Sequence, residues 1–202
     1  MINTIIFDFG DIFINLNKEA SNDAFIKIGL ESPNQELTTK NDLYEKGKIS
    51  ESEFLESFLK YIPNSSVEEI RAAWNSIIGD FPLYRLEFLQ MLTQKYRLFL
   101  LTNTDEIHIA HFEEKVGISF YTDFYNCFEK VFYSYEMGMR KPEVGIFSAI
   151  IDKYDLSPKR TLFVDDKKEN TDAAASLGIH VWNLQVGKED VVDLFDQKHL
   201  PF

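Results

Sequence analysis

The stretch IIFDFGD, residues 5–11, opens with three apolar residues and then changes abruptly to a turn that carries two carboxylates. The apolar run is too short for a helix and is typical of a buried strand. In a sheet of parallel strands covered by helices, ligands bind beyond the carboxyl ends of the strands. Asp8 is therefore a candidate functional residue, although an aspartate after a strand is often a helix cap or a turn former.

Similar short apolar runs recur along the chain, and helical patterns lie between most of them. Their continuous rather than alternating apolarity indicates strands that are buried on both faces. The predicted strands are residues 5–7, 98–101, 130–133, 161–164 and 179–182. Strands that alternate with helices predict an α/β fold, with a parallel sheet and helices on both of its faces.

Residues 17–80 have a different pattern, in which no strand-like run occurs and several amphipathic helices follow one another. Two serine–glutamate pairs have the spacing of a capping box ahead of an apolar stripe, Ser50 with Glu53 and Ser66 with Glu69. We therefore predict an inserted all-helical cap over residues 17–80, on a core formed by residues 1–16 and 81–202. The predicted hinges are the connections near residues 14–18 and 79–83.

The composition of the chain limits its partners. Its 202 residues suffice to bury one sizeable core, and its net charge of −12 repels both nucleic acids and anionic lipid headgroups. Cys127 is the only cysteine, the amino terminus lacks the basic region of a signal peptide, and no apolar run is long enough to span a membrane. We expect a cytoplasmic protein with no nucleic-acid or membrane partner; its oligomeric state is left open, and a monomer is compatible with the sequence.

Polar residues stand together at four places that a parallel sheet would bring to one edge. They are Asp8, Asp11, Thr102, Asn103, Arg140, Lys141, Asp165 and Asp166. Taken singly, each is more often a cap or a turn residue. Taken together, they supply carboxylates, hydroxyl and amide donors and a lysine, which are the groups needed to bind Mg²⁺ and a phosphate.

Lys141 has two interpretations of its own. It precedes Pro142, where a helix is predicted to begin, and so it is either a solvated helix-start residue or a functional cation. Lysine at a helix N-terminus is electrostatically unfavourable unless an anion lies nearby, which favours the functional interpretation.

The segments IIFDFG, LLTNT, GMRKP and LFVDDKKEN resemble, in this order, the four motifs of the haloacid dehalogenase-like superfamily. The resemblance runs nearly end to end. It implies a Rossmann-like core with an α-helical cap of the subfamily I type. The segments YEKGKIS, GMRKPEVGIF and DDKKENTDAA are most similar to the bacterial α-glucose-1-phosphatase-like branch.

This resemblance implies a nucleophile and a metal site. Asp8 would attack phosphorus and form an aspartyl-phosphate, which water then hydrolyses. Mg²⁺ would be held by Asp8, the backbone carbonyl of Gly10 and Asp166, with Asp165 acting mainly through water. The predicted partner is a small phosphoester.

The same resemblance implies groups that neutralise the phosphate. Thr102 and the Asn103 amide group would donate hydrogen bonds to phosphoryl oxygens, and Lys141 would serve as the catalytic cation. Asn170 is either a further supporting group behind the metal ligands or a polar residue on an exposed helix face.

Gly10 departs from the pattern of the superfamily, in which most phosphatases carry a second aspartate at this position. General acid–base help is typically worth ~10²–10⁴-fold in rate. Asp11 is either the replacement acid or a residue that only shapes the turn. A good leaving group would reduce the need for an acid, and we therefore predict a phosphatase for a sugar phosphate, with glucose 1-phosphate favoured.

The predicted cap would close over the site and select the substrate. Tyr44, Glu45 and Lys48 either bind sugar hydroxyls or are ordinary residues of a helix end and turn. His108 is interpreted as structural or solvated and Trp74 as a core anchor, because neither stands in a ligand-binding pattern.

Two other functions remain open at this point. A 2-haloacid dehalogenase uses the same nucleophile and needs neither a metal nor an acid at position 10. Without a metal, however, Asp165 and Asp166 beside Asp8 would repel one another. A catalytically idle domain that binds a phosphometabolite or a protein is also favoured by Gly10. The complete set of reactive groups argues against it, because the fold does not require them.

Overall fold

The computed structural model describes residues 1–30 and 34–202. Its strands are β1 (Thr4–Phe7), β2 (Arg97–Thr102), β3 (Lys130–Tyr133), β4 (Thr161–Asp165) and β5 (His180–Asn183). Within the described residues these five strands form one parallel sheet in the order β3-β2-β1-β4-β5. Phe7 of the central strand is in register with Leu100 and Val164. The predicted α/β fold with a parallel sheet is confirmed.

Helices fill the connections between the strands. They are α1 (Lys18–Lys27), α2 (Gln35–Tyr44), α3 (Glu51–Leu59), α4 (Val67–Asn75), α5 (Leu83–Leu92), α6 (Glu106–Val116), α7 (Ile118–Tyr125), α8 (Ser134–Met137), α9 (Val144–Tyr154) and α10 (Lys168–Ala175), with short 3-10 helices at Pro158–Arg160 and Val191–Asp196. Across residues 1–30 and 34–202, the helices are all too short or too polar to cross a membrane.

Both faces of the sheet are covered. Successive strand residues point to opposite faces, so Ile5 and Phe7 join one apolar cluster while Ile6 joins another. The first cluster includes residues of α5, α6 and α7, and the second includes residues of α9 and α10. The central strand is thereby buried, and its polar carboxyl end is fixed at one edge of the core.

Helices α1 to α4 enclose an apolar cluster of their own, which contains Phe54 and Ile70. Ser66 and Glu69 form the predicted capping box at the start of α4. Ile107 of α6 also packs into this cluster. Because the packing is continuous with α6, the predicted boundary between a cap at residues 17–80 and the core stays a prediction.

The two predicted hinge segments lie side by side. Asn15 donates its backbone N–H to the carbonyl of Asp80, and Gly79 donates to the carbonyl of Asn15. A Cβ atom on Gly79 would lie 2.4 Å from the Asn15 carbonyl oxygen. Only glycine allows this close approach, so the two connections between α1–α4 and the sheet form one joined pair.

Candidate active site

The carboxyl ends of the central strands deliver three of the predicted site residues to one place. Asp8 follows β1 directly, Thr102 ends β2 and Asp165 ends β4. The chain moves from β1 to β2 and β3 on one side and returns to β4 on the other, so this is the switch point of the sheet, where ligands bind in such folds. A cavity of about 220 Å³ opens there.

Lys141 is the central cation of this cavity. Its side chain is 1% exposed, and its Nζ lies 2.8 Å from Asp8 Oδ1 and 2.7 Å from Asp165 Oδ2. Burial lowers the pKa of Lys141, but the charges of Asp165 and Asp8 outweigh this effect and raise the pKa above its usual value. The lysine is therefore charged at every physiological pH, and the functional interpretation of Lys141 agrees with its contacts.

Asp165 is held from several directions. Its Oδ2 accepts from Lys141, its Oδ1 accepts from the backbone N–H of Lys167 at 2.8 Å, and the Asn170 amide donates to both oxygens at 3.0 Å. Asn170 is itself buried, so it supports Asp165 and does not lie on an exposed helix face. These contacts leave Asp165 little freedom to turn toward a ligand.

Three carboxylates fit a divalent cation. Asp8, Asp165 and Asp166 each offer an oxygen, and the three oxygens lie within 4.8 Å of one another. Burial raises the pKa of Asp8 to about 7, with Lys141 opposing the shift and Asp165 adding to it. Burial and the charge of Asp165 also raise the pKa of Asp166. A bound cation would relieve this repulsion, and oxygen ligands are those that Mg²⁺ prefers.

The remaining predicted metal and phosphate groups line the same cavity, among them Gly10 and Thr102. Asn103 lines it too, and its side chain also contacts the backbone of Lys141. The Asn103 amide donates to the carbonyl of Lys141 at 2.8 Å and accepts from the backbone N–H of Lys141 at 2.9 Å. These two contacts fix the backbone of Lys141 and use only one of the two N–H donors of the Asn103 amide, so its donation to phosphate stays a prediction.

The helix after Lys141 begins later than predicted. The N–H of Glu143 donates to the carbonyl of Arg140, so residues 140–143 form a turn around Pro142, and α9 starts at Val144. Lys141 lies in the connection ahead of the helix. Its side chain is thereby free to extend between Asp8 and Asp165.

Asp11 is bound within its own turn. It has a φ of 58°, its Oδ1 accepts from the backbone N–H of Leu16 at 2.9 Å, and its Oδ2 lies 3.2 Å from Lys18 Nζ. A Cβ atom on Gly10 would meet Leu16 Cδ1 at 2.9 Å. The space that a larger residue at position 10 would enter is thus occupied by Leu16, and Asp11 holds Leu16 there.

The end of helix α2 contributes one predicted residue and one unpredicted residue to the cavity. Glu45, just beyond α2, lines the cavity as proposed from the sequence, and Asn41 lines it one turn earlier. Tyr44 does not line it. The Tyr44 ring is 3% exposed and stacks on Phe54 at 4.5 Å inside the α1–α4 cluster. The structure does not bring Tyr44 to the cavity, which favours its alternative interpretation as an ordinary residue of the helix end.

Asp105 and His108 form a buried pair that borders the cavity, although the sequence indicates only a structural or solvated role for His108. His108 Nδ1 lies 3.1 Å from Asp105 Oδ2, and Trp74 donates its indole N–H to the same oxygen at 3.0 Å. The Trp74 and His108 rings stack at 4.8 Å, and both side chains line the cavity. Burial lowers the pKa of His108, but Asp105 raises it above its usual value. The network joins α4 to α6.

Comparisons with known proteins identify a family and several relatives of this chain. The family model of the haloacid dehalogenase-like hydrolases matches residues 2–178. The chain is 28% identical to a D-ribitol-5-phosphate phosphatase of Bacteroides thetaiotaomicron, over 94% of this chain and 95% of the relative. It is 26% identical to a sesquiterpene phosphatase of Aspergillus oryzae, over 86% and 85% of the two chains. A haloacid dehalogenase family enzyme from B. thetaiotaomicron, crystallised with magnesium and inorganic phosphate, superposes with a TM-score of 0.80 at 34% identity, over 94% and 97% of the chains.

Proposed function

The chain belongs to the haloacid dehalogenase-like hydrolases, and we propose that it is a magnesium-dependent phosphatase that cleaves a small phosphorylated metabolite. The observation that carries the proposal is the placement of Lys141 between Asp8 and Asp165, with Asp166 close enough to share a cation. A nucleophilic carboxylate, a fixed positive charge and a metal site meet at one point. The phosphatases among its relatives, which match most of its length, support the proposal.

In the proposed reaction, a carboxylate oxygen of Asp8 attacks phosphorus and the bond from phosphorus to the ester oxygen breaks. The bonding electrons leave with that oxygen as an alkoxide, which takes a proton from water. A second water then attacks the aspartyl-phosphate, which releases inorganic phosphate and regenerates Asp8. Lys141 offsets the negative charge of Asp8 and Asp165 throughout, and the Thr102 hydroxyl donates to a phosphoryl oxygen.

Magnesium, when bound, neutralises the charge of the phosphoryl group as it approaches the carboxylates. We propose Asp8, the Gly10 carbonyl and Asp166 as direct ligands. Asp165 would act mainly through water, because its oxygens already accept hydrogen bonds from Lys141 and Asn170. Asn103 has a supporting role, since it fixes the backbone of Lys141.

The size of the cavity favours a small leaving group. Its volume of about 220 Å³ lies below the ~300–1,000 Å³ of sites for drug-sized ligands. The relatives differ in their leaving groups, a hydroxylated chain in ribitol 5-phosphate and an apolar one in a sesquiterpene. Glucose 1-phosphate remains the first substrate to test, because its anomeric oxygen is a good leaving group and Gly10 supplies no acid.

Withdrawal of magnesium tests the proposal. Phosphate release would be measured with glucose 1-phosphate, ribitol 5-phosphate and p-nitrophenyl phosphate, with Mg²⁺ and then with a chelator. We expect turnover with Mg²⁺, loss of at least about 100-fold on chelation because the carboxylates are no longer neutralised, and recovery when Mg²⁺ is restored. Halide release from 2-chloropropionate without metal would instead identify a dehalogenase, and Mg²⁺ binding with no turnover of any phosphoester an idle domain.

Asp11→Asn is expected to leave the rate nearly unchanged. The asparagine oxygen can still accept from the Leu16 backbone N–H, so the turn persists while any general acid is lost. Since such an acid contributes ~10²–10⁴-fold, a decrease in kcat below about threefold would exclude Asp11 from proton transfer. The pH profile of kcat checks this result, and a fall of about 100-fold with loss of the basic limb would show that Asp11 is the replacement acid.

A further inference from the structure

Two polar side chains at the end of α2 contribute to the wall of the cavity at the strand ends. Asn41 and Glu45 are four residues apart, which places them on one face of the helix, and both line the cavity that contains Asp8. They are not part of the phosphate-binding set at the strand ends. Since the strand ends supply the groups for the phosphate, side chains from α2 are available to contact the rest of the substrate.

Both side chains present hydrogen-bond acceptors to this space. Asn41 Oδ1 is buried and has no hydrogen-bond donor within the described part of the chain. The Asn41 amide reaches Glu45 Oε1 at 3.4 Å, a long contact that directs Oδ1 away from the carboxylate. Buried acceptors are nearly always satisfied in folded proteins, so an orphan in a ligand cavity indicates that the ligand brings the donor.

Glu45 is kept in place by a cation from the core. Arg140 Nη2 lies 2.9 Å from Glu45 Oε2, and the same guanidinium also pairs with Asp42. Burial raises the pKa of Glu45, and Arg140 opposes that shift. Arg140 precedes Lys141 in the chain, so the segment that supplies the catalytic cation also anchors the acceptors.

A second contact fixes the end of α2 on this segment. Lys46 Nζ lies 2.7 Å from Glu143 Oε1. Gly47 has a φ of 61°, and a Cβ atom there would lie 2.3 Å from the carbonyl oxygen of Tyr135, so the turn after α2 packs directly on the core backbone. The acceptors are therefore held at a set position relative to Asp8.

We propose that Asn41 and Glu45 are specificity-determining residues that accept hydrogen bonds from two hydroxyls of the leaving group, so that the substrate is the phosphate monoester of a polyol, and that Arg140 positions Glu45 for this role. The inference rests on the proposed phosphatase function and adds its substrate class. An apolar leaving group would leave Asn41 Oδ1 without a donor, which disfavours it at this site.

The test compares substrates with and without hydroxyls. Values of kcat/KM would be measured for ribitol 5-phosphate, butyl phosphate and p-nitrophenyl phosphate with Asn41→Leu and Glu45→Gln. Asn41→Leu removes an acceptor, and Glu45→Gln replaces one acceptor oxygen with an N–H donor group. Each substitution keeps the volume of the side chain nearly constant. We expect kcat/KM for ribitol 5-phosphate to fall about 10- to 100-fold, as for a lost hydrogen bond to a buried polar group, and that for the other two to change less than about threefold.

Matched variants separate recognition from folding. Asn22→Leu, at an exposed position of α1, is expected to change nothing. Retained turnover of p-nitrophenyl phosphate shows that each variant is folded. Equal losses on all three substrates, no loss on ribitol 5-phosphate, or a wild-type preference for butyl phosphate would each overturn the inference alone. Absence of wild-type turnover on every substrate would overturn the proposed function and the inference with it.

Discussion

Asp8→Asn is expected to abolish phosphate release, with a decrease in kcat on the order of 10⁴–10⁶-fold, as found when a covalent nucleophile is removed from other hydrolases. The amide cannot form the acyl phosphate, and the remaining groups only bind and polarise the substrate. The measurement is phosphate release at saturating substrate and Mg²⁺.

The same substitution is not expected to destabilise the metal-free protein. Burial raises the pKa of Asp8 from 3.8 to about 7 in the folded state. A raised carboxyl pKa contributes stability at low pH that is lost as pH rises from about 4 through about 7, because the folded protein must then ionise a buried group. The asparagine side chain of the variant is neutral at every pH. Above pH 7, the free energy of unfolding of the variant should therefore equal or exceed that of the wild type.

Thermal unfolding of Asp8→Asn and of the wild type at pH 8 without metal checks that the inactive variant keeps its stability. Asp172→Asn is a suitable control, because Asp172 is exposed on α10 and pairs with Lys168 at the surface. It should change neither activity nor stability appreciably. If Asp8→Asn kept more than about 1% of the wild-type rate, Asp8 would not be the nucleophile, since a covalent route loses far more.

The sheet and its polar edge follow closely from the sequence. Continuous apolar runs define buried strands, and parallel strands bring their carboxyl ends to one edge irrespective of the conformation of the loops. Asp8, Thr102 and Asp165 end adjacent strands, so their proximity depends only on the strand order. Lys141 is different, because it lies in a connection. Its position in the sequence indicates the polar edge of the sheet, but strand order alone does not fix its contacts with Asp8 and Asp165.

Only part of the contribution of α2 to the cavity could be predicted, for a physical reason. The sequence of α2, QELTTKNDLY, is mostly polar, so no apolar stripe reveals which of its faces is buried. Tyr44 turns inward against Phe54, and Asn41 faces the cavity instead. The orientation of α2 depends on how its side chains pack in the α1–α4 cluster, and its own sequence does not determine it.

Long-range pairing of polar side chains also escapes a sequence pattern. Asp105 caps α6, which its position before the helix indicates, but it also accepts from Trp74, 31 residues earlier. The Asn103 side chain pairs with the backbone of Lys141, 38 residues later. No periodicity encodes either contact, because both depend on how separate connections meet above the sheet.

Lys141→Met is expected to lower both activity and stability. Methionine keeps most of the volume of the side chain but leaves Asp8 and Asp165 without their shared cation. Removal of one partner from a buried ion pair costs about 3–5 kcal/mol, and we expect a loss of this size in the free energy of unfolding at pH 8 without metal. The rate should fall by about 10²–10³-fold, as for the loss of one preorganised electrostatic group.

The loss of stability should depend on pH in a direction set by Asp8. Lys141 has a raised pKa and stays charged between pH 5 and 8, so its own titration contributes nothing in this range. Without the lysine, the pKa of Asp8 rises further, and near pH 5 Asp8 binds a proton and removes one of the two buried charges. The difference in unfolding free energy between wild type and variant should therefore be smaller at pH 5 than at pH 8, as measured by denaturant titration.

A surface lysine supplies the control for this experiment. Lys168 pairs with Asp172 at 2.6 Å, but both side chains are exposed, so Lys168→Met should change the free energy of unfolding by less than about 1 kcal/mol at either pH. Mg²⁺ should recover part of the stability lost in Lys141→Met, because it offers Asp8 and Asp166 a second source of positive charge. A variant as stable as the wild type at pH 8, with or without Mg²⁺, would show that Lys141 does not neutralise these carboxylates, and the electrostatic basis of the site would then have to lie elsewhere.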